Sequence, residues 1–201
     1  MAVVGGRRER SVRLVVGISG SSGAIYGVRL LEVLASTDDV ETHAVITRGA
    51  RATIAYETGR DPDEVAEHAD RIYDDGNVAA ALASGTFPTD GMVVAPCSMK
   101  TLAAIARSDA DTLLVRAADV TLKERRRLVV VPRETPLHLG HLRHMVELTE
   151  MGAVVLPPVP GFYIRPTSID ELVDHTVTKI LDQFGIDAGL IGRWTGLEDD
   201  G

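Results

Sequence analysis

Three glycines spaced three residues apart, Gly17, Gly20 and Gly23, join an apolar run over residues 14–18 to a helical pattern over residues 25–34. Ser19, Ser21 and Ser22 lie between them. A strand that turns tightly into a helix offers hydroxyls and the helix's unpaired first amides to an anion, so this stretch predicts a phosphate-binding turn. Its pattern is G-x-x-G-x-x-G rather than the dinucleotide G-x-G-x-x-G. The next apolar run, residues 42–47, closes on Thr47-Arg48 and carries no acid for a ribose hydroxyl. A mononucleotide phosphate therefore suits the turn better than NAD does.

A second turn of the same kind follows the run 91–96. There Ser98-Met99-Lys100-Thr101 sets hydroxyls, a cation and free helix amides beside one another. Arg133 and Glu134 stand directly past the run 128–132, a cation and an acid that form either an ion pair or a catalytic pair. Residues 157–166 hold four prolines around Gly161, Phe162, Tyr163 and Arg165. Proline stiffens that segment, so Tyr163 is presented to stack on a flat ring or to donate its hydroxyl to a phosphate. His138, His141 and His144 recur at i, i+3 and i+6, a spacing that rotates the third ring off the face of the first, and no metal site is expected. Cys97, the single cysteine, has no His or Cys beside it and reads as a small buried residue rather than a nucleophile.

These side chains need a scaffold that brings them to one place. Strand-like runs recur at 13–19, 41–47, 91–96, 128–132 and 153–156, each followed by a loop and a helical pattern. The runs are apolar throughout rather than alternating, as when helices cover both faces of a parallel sheet. The expected fold is α/β: a Rossmann- or flavodoxin-like doubly wound sheet in three layers, with ligands bound outside the carboxyl ends of the strands. All the turns named above follow those ends. Residues 169–184 read as a final helix that buries Leu172, Val173, Thr176, Ile180 and Leu181 and leaves Lys179 off the apolar stripe.

The chain has 201 residues, 45% of them hydrophobic, and a formal charge of −8. A core of ordinary size follows, and the charge argues against a nucleic-acid partner, which needs a basic face. The one short basic run, residues 123–127, is interrupted by Glu124. One cysteine permits no internal disulfide, and no apolar run reaches the roughly 18 residues of a membrane span, so a cytoplasmic protein is expected. Residues 1–12 read as an Arg-rich flexible lead-in, residues 13–186 as one domain, and residues 187–201 as a tail in which Trp194 docks on something.

Read together, GISGSSGAIYGVRLLEVL, PCSMKTL, RAADVTLKERR, PRETPLHLGHLRHM and LPPVPGFYIRP resemble the UbiX-type flavin prenyltransferases, in collinear order over residues 13–186. The resemblance implies an enzyme that joins a dimethylallyl group from dimethylallyl phosphate to N5 and C6 of reduced FMN without a metal. The prenylated flavin would serve a UbiD-type decarboxylase, with the pathway left open between ubiquinone synthesis and aromatic-acid decarboxylation. It implies that Gly20, Ser21, Ser22, Thr47, Ser98, Met99, Lys100, Thr101 and Arg133 contact FMN. Tyr163 and Lys179 would hold the prenyl phosphate, and Ser22, Glu57, Lys123 and Glu134 would take catalytic positions. It further implies a homododecamer with active sites at subunit contacts. The family usually has Ser-Lys where this chain has Thr47-Arg48. Two other readings share the fold: an FMN-dependent decarboxylase of the cysteine type, which carries an Asn-containing turn in place of residues 96–101, and a non-catalytic FMN carrier, which needs neither Lys123, Glu134 nor Lys179.

Overall fold

The computed structural model describes residues 12–193 and Gly196. Six strands, β1 (Val12–Ile18), β2 (Val40–Ile46), β3 (Arg71–Tyr73), β4 (Gly91–Cys97), β5 (Arg127–Pro132) and β6 (Val154–Val155), pair in parallel in the order β3-β2-β1-β4-β5-β6. Seven helices complete the described residues: α1 (Ala24–Ala35), α2 (Arg48–Thr58), α3 (Pro62–Ala66), α4 (Met99–Ala106), α5 (Leu113–Lys123), α6 (Leu139–Glu150) and α7 (Ile169–Asp182).

Successive side chains of a strand face opposite ways, and here both sets are apolar because both faces are covered. Leu14, Val16 and Ile18 of β1 join Val93, Val129 and Val131 under α1 and α7. Val15, Met92, Val94, Leu128 and Val130 pack on the other face beneath α4 and α5. Each such residue contributes about 1.5–3 kcal/mol of burial, which is what fixes the three layers. The chain winds outward from β1 to β3, then returns to start again at β4, so the strand order reverses between β1 and β4. At that reversal the two sets of connections leave in opposite directions and open a crevice past the carboxyl ends of the strands.

The sequence pattern does not reveal β3. It has three residues, its Arg71 and Ile72 are exposed, and it forms the sheet edge. Polar bonds hold that edge: Arg13 Nε donates to Glu41 Oε2 at 2.8 Å, and buried His43 lies 2.9 Å from both the Glu41 carboxylate and the Tyr73 hydroxyl. After α7 the chain stays on the body of the protein, with Ile186 buried and Ala188 and Leu190 packed against the core. The expectations for the lead-in and for Trp194 fall outside the described residues.

Candidate functional site

Ser19 builds the floor of the crevice. Its amide and its Oγ both donate to the Pro96 carbonyl, at 3.2 and 2.9 Å, and its Oγ accepts from the Ser98 amide at 2.7 Å. The residue is 1% exposed, so the hydroxyl expected to face an anion is instead spent tying the end of β1 to the end of β4. The next residue, Gly20, sits against the start of α2. A Cβ there would lie 2.8 Å from the Gly49 carbonyl carbon, closer than real side chains approach, so only glycine permits this contact.

The first amides of α1 are not open to a ligand, contrary to the sequence expectation. Gly23, at φ 93°, and Ala24 donate their N–H groups to Glu57 Oε2 at 2.9 and 3.0 Å. A carboxylate from the last turn of α2 thus fills the place where a phosphate was expected, and satisfies the positive end of the helix. Burial alone would raise the Glu57 carboxyl, but the Ser22 hydroxyl, the two amides and Arg133 outweigh it and hold the group below the ordinary carboxylate range. Arg133 completes the cluster by donating Nε–H to the Ser22 carbonyl at 3.1 Å. Glu134 faces elsewhere: its Oε1 accepts the Thr135 amide at 3.0 Å, and no ion pair joins it to Arg133 among the described residues. It stands as an exposed carboxylate at the rim.

The ends of β2 and β4 place two more helix N-termini opposite each other. Thr47 caps α2 by accepting the Ala50 amide at 3.1 Å, and Ser98 caps α4 by accepting the Thr101 amide at 3.2 Å and donating to Thr101 Oγ1 at 3.0 Å. Between them lies a cleft of about 540 Å³ whose lining includes Gly20, Thr47, Arg48, Ser98, Lys100 and Thr101, together with the carboxylates of Asp75, Asp109 and Asp111. Met99 contributes only backbone at this edge, because its side chain packs on the core beneath α4. Ser21 Oγ is buried and has no hydrogen-bond partner among the described residues. Two helix N-termini and the exposed cations Arg48 and Lys100 suit a phosphate there and outweigh the three carboxylates only at the heads of α2 and α4, the orphaned Ser21 hydroxyl stands next in sequence to Gly20 of the lining, and the volume falls within the range of small-molecule sites. Were FMN held here, Gly20, Thr47 and residues 98–101 would be the candidates for its phosphate, with Ser21 beside them and Ser22 and Arg133 at the rim.

Other expected residues lie outside the cleft. Lys123, at the end of α5, pairs with Glu124 beside Gly85, at the amino edge of the sheet. Lys179, near the end of α7, is 52% exposed on its side chain and pairs with Asp182 at 3.6 Å. One subunit therefore does not bring either lysine to the cleft. Tyr163 sits in a 3₁₀ turn (Phe162–Ile164), its hydroxyl 2.9 Å from His175 Nε2 of α7. The sequence reading missed His175, although a histidine four residues before Lys179 on the apolar face of that helix was a visible signal.

His138 caps α6 by accepting the Gly140 amide at 3.0 Å, and His144 lies 2.9 Å from Glu147 Oε2. No group of three His, Cys, Asp or Glu side chains among the described residues is arranged to hold a metal. Cys97 is fully buried, and burial pushes its thiol far up, which leaves it inert.

The flavoprotein family model matches residues 5–181. Flavin prenyltransferase UbiX of Thauera aromatica is 54% identical over 188 residues, 94% of this chain and 96% of that protein. The solved structure of AnUbiX (PadA1) in complex with FMN and dimethylallyl pyrophosphate superposes with a TM-score of 0.92 at 50% identity, covering 94% of this chain and 100% of the other. That of a dodecameric FMN-dependent UbiX-like decarboxylase from Escherichia coli O157:H7 gives 0.90 at 48% identity, covering 92% and 100%. With 54% identity to a UbiX across 94% of its length and the same fold, the chain belongs to the UbiX-type flavin prenyltransferases of the flavoprotein family.

Proposed function

We propose that the protein transfers a dimethylallyl group from a dimethylallyl phosphate to reduced FMN. The observation that carries this reading is the 54% identity, over 94% of the chain, to a protein named for that reaction. When bound, reduced FMN supplies the electron-rich N5 and C6 atoms that accept the prenyl group.

The rest of the chemistry belongs to the chain's own residues. Breaking the allylic C–O bond leaves negative charge on the departing phosphate, which a charge-assisted hydrogen bond from Lys179 offsets, with Tyr163 adding a neutral donor. Glu134, exposed at the end of β5 and free of an ion pair to Arg133, carries the proton released as the new ring closes. Glu57 acts through Ser22: it receives the Ser22 hydroxyl and thereby fixes its direction at the start of α1.

Lys123 and Lys179 lie away from the cleft of their own subunit, so we place them at sites completed by neighbouring copies, in a homododecamer like that of the Escherichia coli relative. The product serves a UbiD-type decarboxylase. No helix among the described residues is long and apolar enough to cross a membrane. The cysteine-type decarboxylase reading is disfavoured by residues 96–101, Pro-Cys-Ser-Met-Lys-Thr, which lack the asparagine of that turn. The test is anaerobic incubation with reduced FMN and either dimethylallyl phosphate or its pyrophosphate, followed by mass measurement of the flavin. A five-carbon gain is expected, and its absence with both donors overturns the proposal.

A further inference from the structure

The proline-rich segment after β6 rests on one side chain of α7. Tyr163 and His175 meet edge to face, with ring centroids 5.7 Å apart and planes at 79°, and the Tyr163 hydroxyl is 2.9 Å from Nε2. His175 is 7% exposed. It also presses on the backbone of the segment, since a Cβ at Gly161 would come 2.8 Å from its Cε1. The imidazole thus sets both the path of the segment and the direction of the phenol.

We propose that His175 is a positioning residue for the prenyl phosphate: it donates Nε2–H to the Tyr163 oxygen, so that the phenol's own proton is directed at the phosphate. The inference rests on the reading of Tyr163 as a phosphate contact. A phenol has one proton, and a phenol that donates to an unprotonated Nε2 has none left for an anion. Phosphate binding therefore requires the tautomer with its hydrogen on Nε2. Burial first, and the charge of Lys179 second, push the His175 pKa down, so the imidazole is neutral near pH 7 and acts through its tautomer rather than its charge. Lys179 lies one turn further along α7, so His175 stands between the two residues assigned to the prenyl phosphate.

The test uses the full-length enzyme in its native assembly, with reduced FMN, dimethylallyl phosphate and the variants Tyr163→Phe, His175→Leu, His175→Gln and the Phe–Leu double variant. His175→Leu should raise KM for dimethylallyl phosphate about 2- to 12-fold, the worth of one neutral hydrogen bond, with kcat and FMN affinity nearly unchanged. His175→Gln, whose amide can donate from a similar position, should recover most of the loss. The double variant should be no worse than Tyr163→Phe alone. Should His175→Leu not fold, His175→Asn, whose amide is too short to reach the phenol, takes its place. An unchanged KM in His175→Leu, or a full additional loss in the double variant, overturns the inference while leaving Tyr163 in its role. An unchanged KM in Tyr163→Phe overturns the assignment of Tyr163 and this inference with it.

Discussion

Ser19 and Ser21 are two residues apart in one turn, yet one hydroxyl is fully partnered and the other is not, and alanine at each should separate what they do. Ser19→Ala removes the oxygen that accepts the Ser98 amide at 2.7 Å and donates to the Pro96 carbonyl at 2.9 Å. The carbonyl keeps the Ser19 amide, but the Ser98 N–H at the head of α4 loses its partner. An orphaned donor of this kind costs about 1–3 kcal/mol. For a chain of this size each kcal/mol is about 2–4 °C, so Tm should fall by roughly 2–12 °C. FMN affinity should fall with it, because the same amide opens the helix that faces the cleft. Ser21→Ala removes an oxygen that has no partner among the described residues, so Tm without FMN should hold or rise. Its FMN affinity should drop about 10- to 150-fold, the scale of a hydrogen bond to a charged group. Thermal unfolding with and without FMN, at one protein concentration because oligomers melt in a concentration-dependent way, and flavin fluorescence titration measure all four quantities. Equal Tm values for the two variants, or unchanged FMN affinity in Ser21→Ala, would refute the division of labour drawn from the two hydroxyls.

Glu134→Gln should leave FMN affinity intact and slow product formation about 10²- to 10⁴-fold, the usual weight of one acid–base group; single-turnover rates check this, and normal turnover returns Glu134 to the turn it caps. Glu57 is held below its ordinary range in the folded state, so its contribution to stability is present above the unfolded value of about 4.3 and is lost as pH falls through the folded value. The Tm gap between wild type and Glu57→Gln should therefore be constant from about pH 8 to 5 and shrink below about pH 4; a gap that widens in acid contradicts the assignment. Lys179→Ala should weaken dimethylallyl phosphate about 10- to 150-fold and spare FMN, with Lys179→Arg recovering much of the loss, and an equal fall in FMN affinity would move the residue to the flavin site.

What the sequence made legible is what local pattern can carry. The runs that became β1, β2, β4 and β5 stand out because burial on both faces leaves no polar alternation, whereas β3 has three residues at an exposed edge and leaves no trace. The glycine and serine spacing marked the turn that follows β1, and Gly20 of that turn lines the cleft. It misjudged which amides stay open, because the carboxylate that closes them comes from Glu57, 33 residues beyond Ala24. Tyr163 was legible from its stiff surroundings, but its partner His175 lies on another element, and helical spacing alone does not show which side chain a loop rests on. Lys123 and Lys179 were named by resemblance. The ends of α5 and α7 reach the amino edge of the sheet, where Lys123 lies beside Gly85 and Phe184 beside Gly91, so distance in sequence from the strand-end turns became distance in space.

Glu57 also bears on how many phosphates the crevice would take if FMN sits there as proposed. A dinucleotide lays its pyrophosphate across the head of the first helix, and in this protein a resident carboxylate already holds that seat by accepting hydrogen bonds from two backbone amides. FAD or NAD would have to displace that carboxylate before entering, whereas an FMN phosphate seated as proposed, between α2 and α4, would not. The chain thus carries its own competitor for the second phosphate, an internal counter-ligand that screens nucleotides by charge count rather than by shape. Glu57→Ala should accordingly gain affinity for FAD relative to FMN, and an unchanged ratio in paired titrations would assign the exclusion of dinucleotides to the walls of the cleft instead.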